Sequence, residues 1–140
     1  MNFMNVFDSV NKTGGASYNV MTSELNPTTG YMVSFIGYEK VLDKKPTTYN
    51  EFSDIMRDYF TSRVWDAIIT IPNLFIGLWT DEKTGKFYID LSQNEPSFEM
   101  ALELAIDRKQ LAIYDCEKGK SFNFADAVNS LNQLIKASLS

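Results

Sequence analysis

Two apolar runs of strand length, residues 74–80 and 86–91, flank the segment Asp81-Glu82-Lys83-Thr84-Gly85. This pairing constrains the fold more than any other feature of the chain. Acids, Lys and Thr ending in Gly turn a backbone, because Gly85 accepts a positive φ that side chains resist. Two strands joined by so short a turn lie antiparallel. A lone hairpin is marginal in water, so further strands or helices must cover it.

The rest of the sequence supplies both. Phe3, Val6, Phe7 and Val10 recur at helical spacing, and Gly14-Gly15 ends that helix. Residues 16–22 and 31–36 read as strands around the turn-rich segment 23–30, which predicts a hairpin with a long loop. Residues 37–45 have no clear period. Thr48 and Glu51 have the spacing of a capping box, and Phe52, Ile55, Met56, Tyr59 and Phe60 follow, predicting a helix over 49–62. Residues 64–71 fit a helix through Val64, Ile68 and Ile71, or a strand through the β-branched run 68–71.

Pro96 and Ser97 open another helix, with Phe98, Ala101, Leu102 and Ala105 as its stripe. Residues 111–114 form a short strand, 117–120 a turn, and Ser121-Phe122 pairs back. Asn123 and Asp126 cap a last helix with the stripe Phe124, Val128, Leu131, Ile135. Adjacent hairpins with interspersed helices place the chain in the α+β class. The expected architecture is a mainly antiparallel sheet of about 4–6 strands with about 3–4 helices packed against it. At 140 residues and 44% hydrophobic, the chain reads as a single globular domain over 1–140.

Composition then limits the chemistry. With no His there is no His-based triad, no His metal ligand and no imidazole relay. One Cys excludes an internal disulfide and a Cys-rich zinc site. The net charge of -5 opposes nucleic-acid binding, which relies on Lys and Arg to neutralise phosphates. The longest apolar stretch, residues 67–80, holds Pro72 and Asn73 and is too short and broken to cross a bilayer. The N-terminus lacks a basic region followed by a long apolar one, so a cytoplasmic location is expected.

The candidate motifs are mostly turns. Gly119-Lys120-Ser121 resembles the tail of a phosphate loop, but Tyr114 stands where that loop needs Gly. Residues 81–90 lack the alternating acids of a calcium loop, and Lys83 occupies a ligand position. Asp81, Asp90 and Asp115 each lie near a strand end, where carboxylates either begin turns or converge for acid–base or metal chemistry. Cys116 has acidic neighbours in Asp115 and Glu117 and no His to activate it. Trp79 points opposite to Leu78 and Thr80. If Leu78 faces the core, Trp79 faces a partner; the reverse is equally simple. Tyr31, Tyr38 and Tyr88 pose the same question.

Several segments together carry a resemblance: Phe75-Ile76-Gly77-Leu78-Trp79-Thr80-Asp81, then Phe87-Tyr88-Ile89-Asp90-Leu91-Ser92, an Ala/Leu-rich helix at 101–105, and Gln110-Leu111-Ala112-Ile113-Tyr114-Asp115. With Gly14 to Asn19 and Asn26 to Tyr31, this order resembles small accessory proteins of bacteriophages and mobile elements, over about residues 14–119. The stretch 67–72 and the helix after Asn123 depart from the pattern. The resemblance implies a non-enzymatic protein that binds a host protein, of the kind that inhibits a defence nuclease of the anti-CRISPR or anti-restriction type. Acidity suits that role by complementing a basic nucleic-acid groove. No cofactor and no metal is expected. Trp79, Tyr88, Asp81 and Asp90 are the expected binding residues, since they share one hairpin. The alternatives are a phage structural or assembly protein, and a small carboxylate- or metal-dependent enzyme.

Overall fold

The computed structural model describes residues 2–110, 112–123 and 133–139. Its core is the hairpin of β4 (Leu74–Thr80) and β5 (Phe87–Glu95), paired in register from Leu74↔Gln93 to Thr80↔Phe87. The intervening turn is closed by the Gly85 amide on the Asp81 carbonyl at 2.7 Å and the Lys83 amide on the Asp81 carboxylate at 2.9 Å. Around it stand β1 (Gly15–Tyr18), β2 (Tyr31–Ser34), β3 (Lys40–Leu42), β6 (Ala112–Asp115) and β7 (Lys120–Asn123). The sheet order is β1-β4-β5-β2-β6-β7, with β3 also on β5, and every pairing is antiparallel. The fold is α+β, as the pattern predicts, with seven strands.

One expected pairing is absent. β1 and β2 do not form a hairpin: β1 joins β4 through Ser17↔Gly77, and β2 joins β5 and β6. The segment between them is too long to fix a register by itself, and each strand takes the partner that buries its apolar residues. Ala16 and Met32 are both buried in these pairings. Strand β3, three residues without apolar period, pairs with the first part of β5 only, Lys40↔Ile89 to Leu42↔Phe87.

Helices α1 (Met4–Thr13), α2 (Tyr49–Tyr59), α3 (Ser62–Thr70) and α4 (Phe98–Asp107) follow the caps written in the sequence. Gly14, at φ 87°, ends α1 with its amide on the Val10 carbonyl. Thr48 accepts the Glu51 amide at 3.2 Å and Ser97 the Met100 amide at 3.4 Å. The ambiguous stretch after residue 61 is helical. The Thr61 hydroxyl caps it, and Val64, Ala67 and Ile68 bury one face while Ile69 stays exposed. Residues 133–139 are helical with exposed side chains, Ile135 among them; of the two expected caps Asn123 instead ends strand β7, while Asp126, the stripe residues Phe124, Val128 and Leu131, and Leu111 lie outside the described residues.

Helices α1 to α3 and the inward residues Leu74, Ile76, Leu78, Phe87, Ile89 and Leu91 share one core, joined by aromatic contacts such as Phe7–Phe52 at 5.3 Å and Phe60–Trp65 at 4.9 Å. Helix α4 extends this layer over β2 and β6, where Ala101 and Ala105 allow close approach to Val33 and Ile113. Arg108, beyond its C-terminus, lies 3.7 Å over the Phe35 ring and donates to Gln93 Oε1, and burial lowers its pKa. Val33 pairs with Gln93, on the same side of β5 as Ile89 and Leu91, so α1 to α4 cover one face. No helix among the described residues is long and apolar enough to cross a membrane.

Candidate functional site

The face turned away from α1–α4 carries the opposite set of side chains. Along β4 these are Phe75, Gly77 and Trp79; along β5 they are Tyr88, Asp90, Ser92 and Asn94. Leu78 is 2% exposed and Trp79 44%, which settles the alternation: Leu78 enters the core and Trp79 meets solvent. Trp79 and Tyr88 are directly cross-strand and stack with ring centroids 4.1 Å apart and planes within 6°. Such a cross-strand pair restricts the rotamers of both rings.

Beside this stack lies a groove of about 740 Å³. Its floor is Gly77, Asp90, Ser92 and Ser34. One wall holds Ser17, Asn26, Pro27 and Trp79, and the other Tyr114, Cys116 and Ser121. These walls come from β1 at one edge of the sheet and from β6 and β7 at the other. On a flat sheet those edges stand roughly 24 Å apart at the usual strand spacing. Their meeting in one groove requires the sheet to curl around this face. The segment from β1 to β2 closes one side: Asn26 is tied to β1 by its amide on the Ser17 carbonyl (2.8 Å) and by its carboxamide oxygen on the Ser17 amide (2.9 Å).

Asp90 is the distinctive group of the floor. It stands where β5 changes partners, between the β3 pairing that ends at Ile89 and the β2 pairing that begins at Ser92. Its carboxylate lies over Gly77, where a Cβ would collide with Oδ1. Gly in mid-strand therefore makes the room. No Lys or Arg among the described residues forms an ion pair with it; the one such pair is Arg57–Asp54, at 3.4 Å on the surface. Removal from water, with repulsion from Glu39, pushes the Asp90 carboxyl up to about 6. Burial, then the Asp90 charge, also raises the Tyr59 hydroxyl, which donates to the Tyr38 carbonyl at 2.8 Å.

The other expected residues are placed differently. Asp81 is used in the hairpin turn. Asp115 is buried and its Oδ1 accepts the Glu117 and Lys118 amides at 3.0 and 3.1 Å, so it shapes the β6–β7 turn. Of the three carboxylates only Asp90 lines the groove. Among the described residues no three His, Cys, Asp or Glu side chains gather as a metal site. Cys116 lines the groove as a thiol: burial, with Asp115 and Glu24, pushes its pKa up to about 11. Tyr31 packs edge-on against Phe98 at 5.5 Å, and Tyr38 lies under Arg63 at 4.0 Å, so neither joins Trp79 and Tyr88.

Ser34, Ser92 and Tyr114 join the groove without a sequence signal of their own. The signal that existed was Gly77, a glycine inside a strand pattern, which marks a close approach. No family model, no curated protein and no solved structure matches the chain.

Proposed function

We propose that this chain is a non-enzymatic binding protein that docks a host protein on the curled face of its sheet opposite α1–α4. The observation that carries this reading is the exposed Trp79, stacked on a half-buried Tyr88, beside a groove whose carboxylate has no counter-charge among the described residues. Exposed, rigid aromatics next to a concave polar floor are what a protein interface uses as anchors. The net charge of -5 adds a long-range preference for a basic partner surface. The resemblance to phage accessory proteins favours a defence nuclease, whose nucleic-acid groove is basic. Inhibition then needs only occupancy of that groove, with no chemistry by this chain.

The test is affinity capture of the tagged chain from a bacterial lysate, with a salt wash and mass spectrometry. Wild type is compared with the double variant Trp79→Ala, Tyr88→Ala, whose fold is checked by circular dichroism. A stoichiometric protein held by wild type and lost by the folded variant is the expected result. Equal retention by both, or nothing retained by either, overturns the reading.

A further inference from the structure

We infer that the groove is a receptor for the guanidinium group of an arginine side chain on a protein partner, with Asp90 as its counter-ion and Trp79 as its stacking wall. The inference rests on the proposed protein-binding face and names the chemistry that face recognises. Three observations on separate strands carry it.

The first is the carboxylate itself. Asp90 is partly buried beside Gly77, with no cation paired to it among the described residues and with repulsion from Glu39. An anionic ligand meets repulsion here. An apolar one leaves the carboxylate desolvated and unpaired, at a cost in free energy. A cation removes both penalties. The second is Trp79, which lines the same groove and is rigidly backed by Tyr88. A planar cation gains from lying against an indole, and a guanidinium stacks and forks to a carboxylate at once, which an ammonium does not. The third is the ring of neutral acceptors. Ser17, Ser34, Ser92 and Ser121 line the groove, and Ser34 and Ser92 share a hydrogen bond of 3.1 Å that leaves acceptor capacity free. A guanidinium has five N–H donors, more than one carboxylate can satisfy.

The charged and titratable groups facing Asp90 define how binding responds to pH. Glu39 precedes β3, Tyr38 and Tyr59 approach where β2 and β3 part, Arg63 of α3 stacks on Tyr38, and Tyr114 and Cys116 stand across the groove. The Tyr59 hydroxyl and the Cys116 thiol both have raised pKa values and stay neutral at physiological pH. Asp90 is the groove carboxylate whose protonation removes the charge that a cation would meet.

The experiment is a titration of the ¹⁵N-labelled full chain with N-acetyl-arginine N-methylamide, followed by heteronuclear NMR at about pH 7.5. The neutral citrulline analogue and the lysine analogue are the controls. Saturable shifts at the amides of Gly77, Asp90 and Ser92 are expected by roughly 20 mM ligand, a range typical of a single side chain. Citrulline should bind at least about tenfold more weakly, and lysine more weakly than arginine. Asp90→Asn should reduce arginine affinity by about tenfold or more, and lowering the pH to about 5 should do the same to wild type. Citrulline binding as well as arginine, or an unchanged Asp90→Asn variant, overturns the assignment. Equal lysine binding overturns its guanidinium specificity. Arginine binding at the groove without any captured protein would overturn the host-protein reading alone. A captured protein lost with Trp79 but indifferent to Asp90 would overturn the receptor alone.

Discussion

Replacing Asp90 by Asn should stabilise the protein, and only above the pH at which this carboxyl ionises in the unfolded chain. The folded structure moves this carboxyl from 3.8 to about 6, because burial and Glu39 disfavour its charged form. Between those values the native state holds a proton that the unfolded chain has released, so stability falls as pH rises through this window. Above about 6 the loss is complete. At about 1.4 kcal/mol per pH unit it amounts to roughly 3 kcal/mol. Asn has a similar shape and no charge, so it matches protonated Asp at low pH. The variant should therefore equal wild type near pH 3.5 and exceed it by about 2–3 kcal/mol near pH 8. For a chain of this size that is a rise in Tm of roughly 6–10 °C. Urea unfolding followed by tryptophan fluorescence at several pH values measures the difference directly. Parallel curves for the two proteins, or a variant no more stable near pH 8, would refute the argument that Asp90 carries an unpaired charge.

Three further outcomes follow from the packing. Phe52 is fully buried against Phe7 at the centre of the core, so Phe52→Ala should cost about 3–5 kcal/mol in urea unfolding; a loss below about 1 would mean the site repacks freely. The Thr80 hydroxyl is buried with no hydrogen-bond partner among the described residues, so Thr80→Val should be neutral or stabilising by about 1 kcal/mol, where a satisfied hydroxyl would give a loss. Cys116, with its pKa pushed up to about 11, should react with a thiol-specific disulfide reagent at pH 8 far more slowly in the native protein than in urea; equal rates would contradict its placement.

The parts of the fold that local chemistry dictates were legible in the chain. The hairpin of β4 and β5 follows from apolar runs of strand length around a Gly-ended turn, and α2 and α4 from Thr48 and Ser97 at their caps. What sequence left open depends on distant partners. Strands β1 and β2 have no local feature that says they join β4 and β5 rather than each other. Strand β3 is three residues long and exists because the β5 edge is available to it. Residues 64–70 carry β-branched side chains at helical spacing, and the choice falls to the Thr61 cap and to burial of Val64 and Ile68. Trp79 and Leu78 differ in fate because α1–α3 pack on the face of the hairpin that Leu78 enters.

The site was legible to the same degree. Trp79, Tyr88 and Asp90 share the face opposite α1–α4 because they alternate with Leu78, Ile89 and Leu91. Asp81 lies at the end of the same hairpin, and its carboxylate is used in the turn. That Asp90 and not Asp115 lines a groove follows from the curl of the sheet and the break between β2 and β3, which no local pattern encodes. Gly77 was the one residue whose type, in mid-strand, pointed to that place.

The most direct test of the central claim is capture from lysate with Asp90→Asn beside wild type, at a pH where the variant is the more stable of the two. Loss of the captured protein by a variant of higher stability is the predicted result, since it separates recognition at this face from any damage to the fold. Full retention of the same protein by Asp90→Asn would contradict the claim that the unpaired carboxylate of the groove is what the partner recognises.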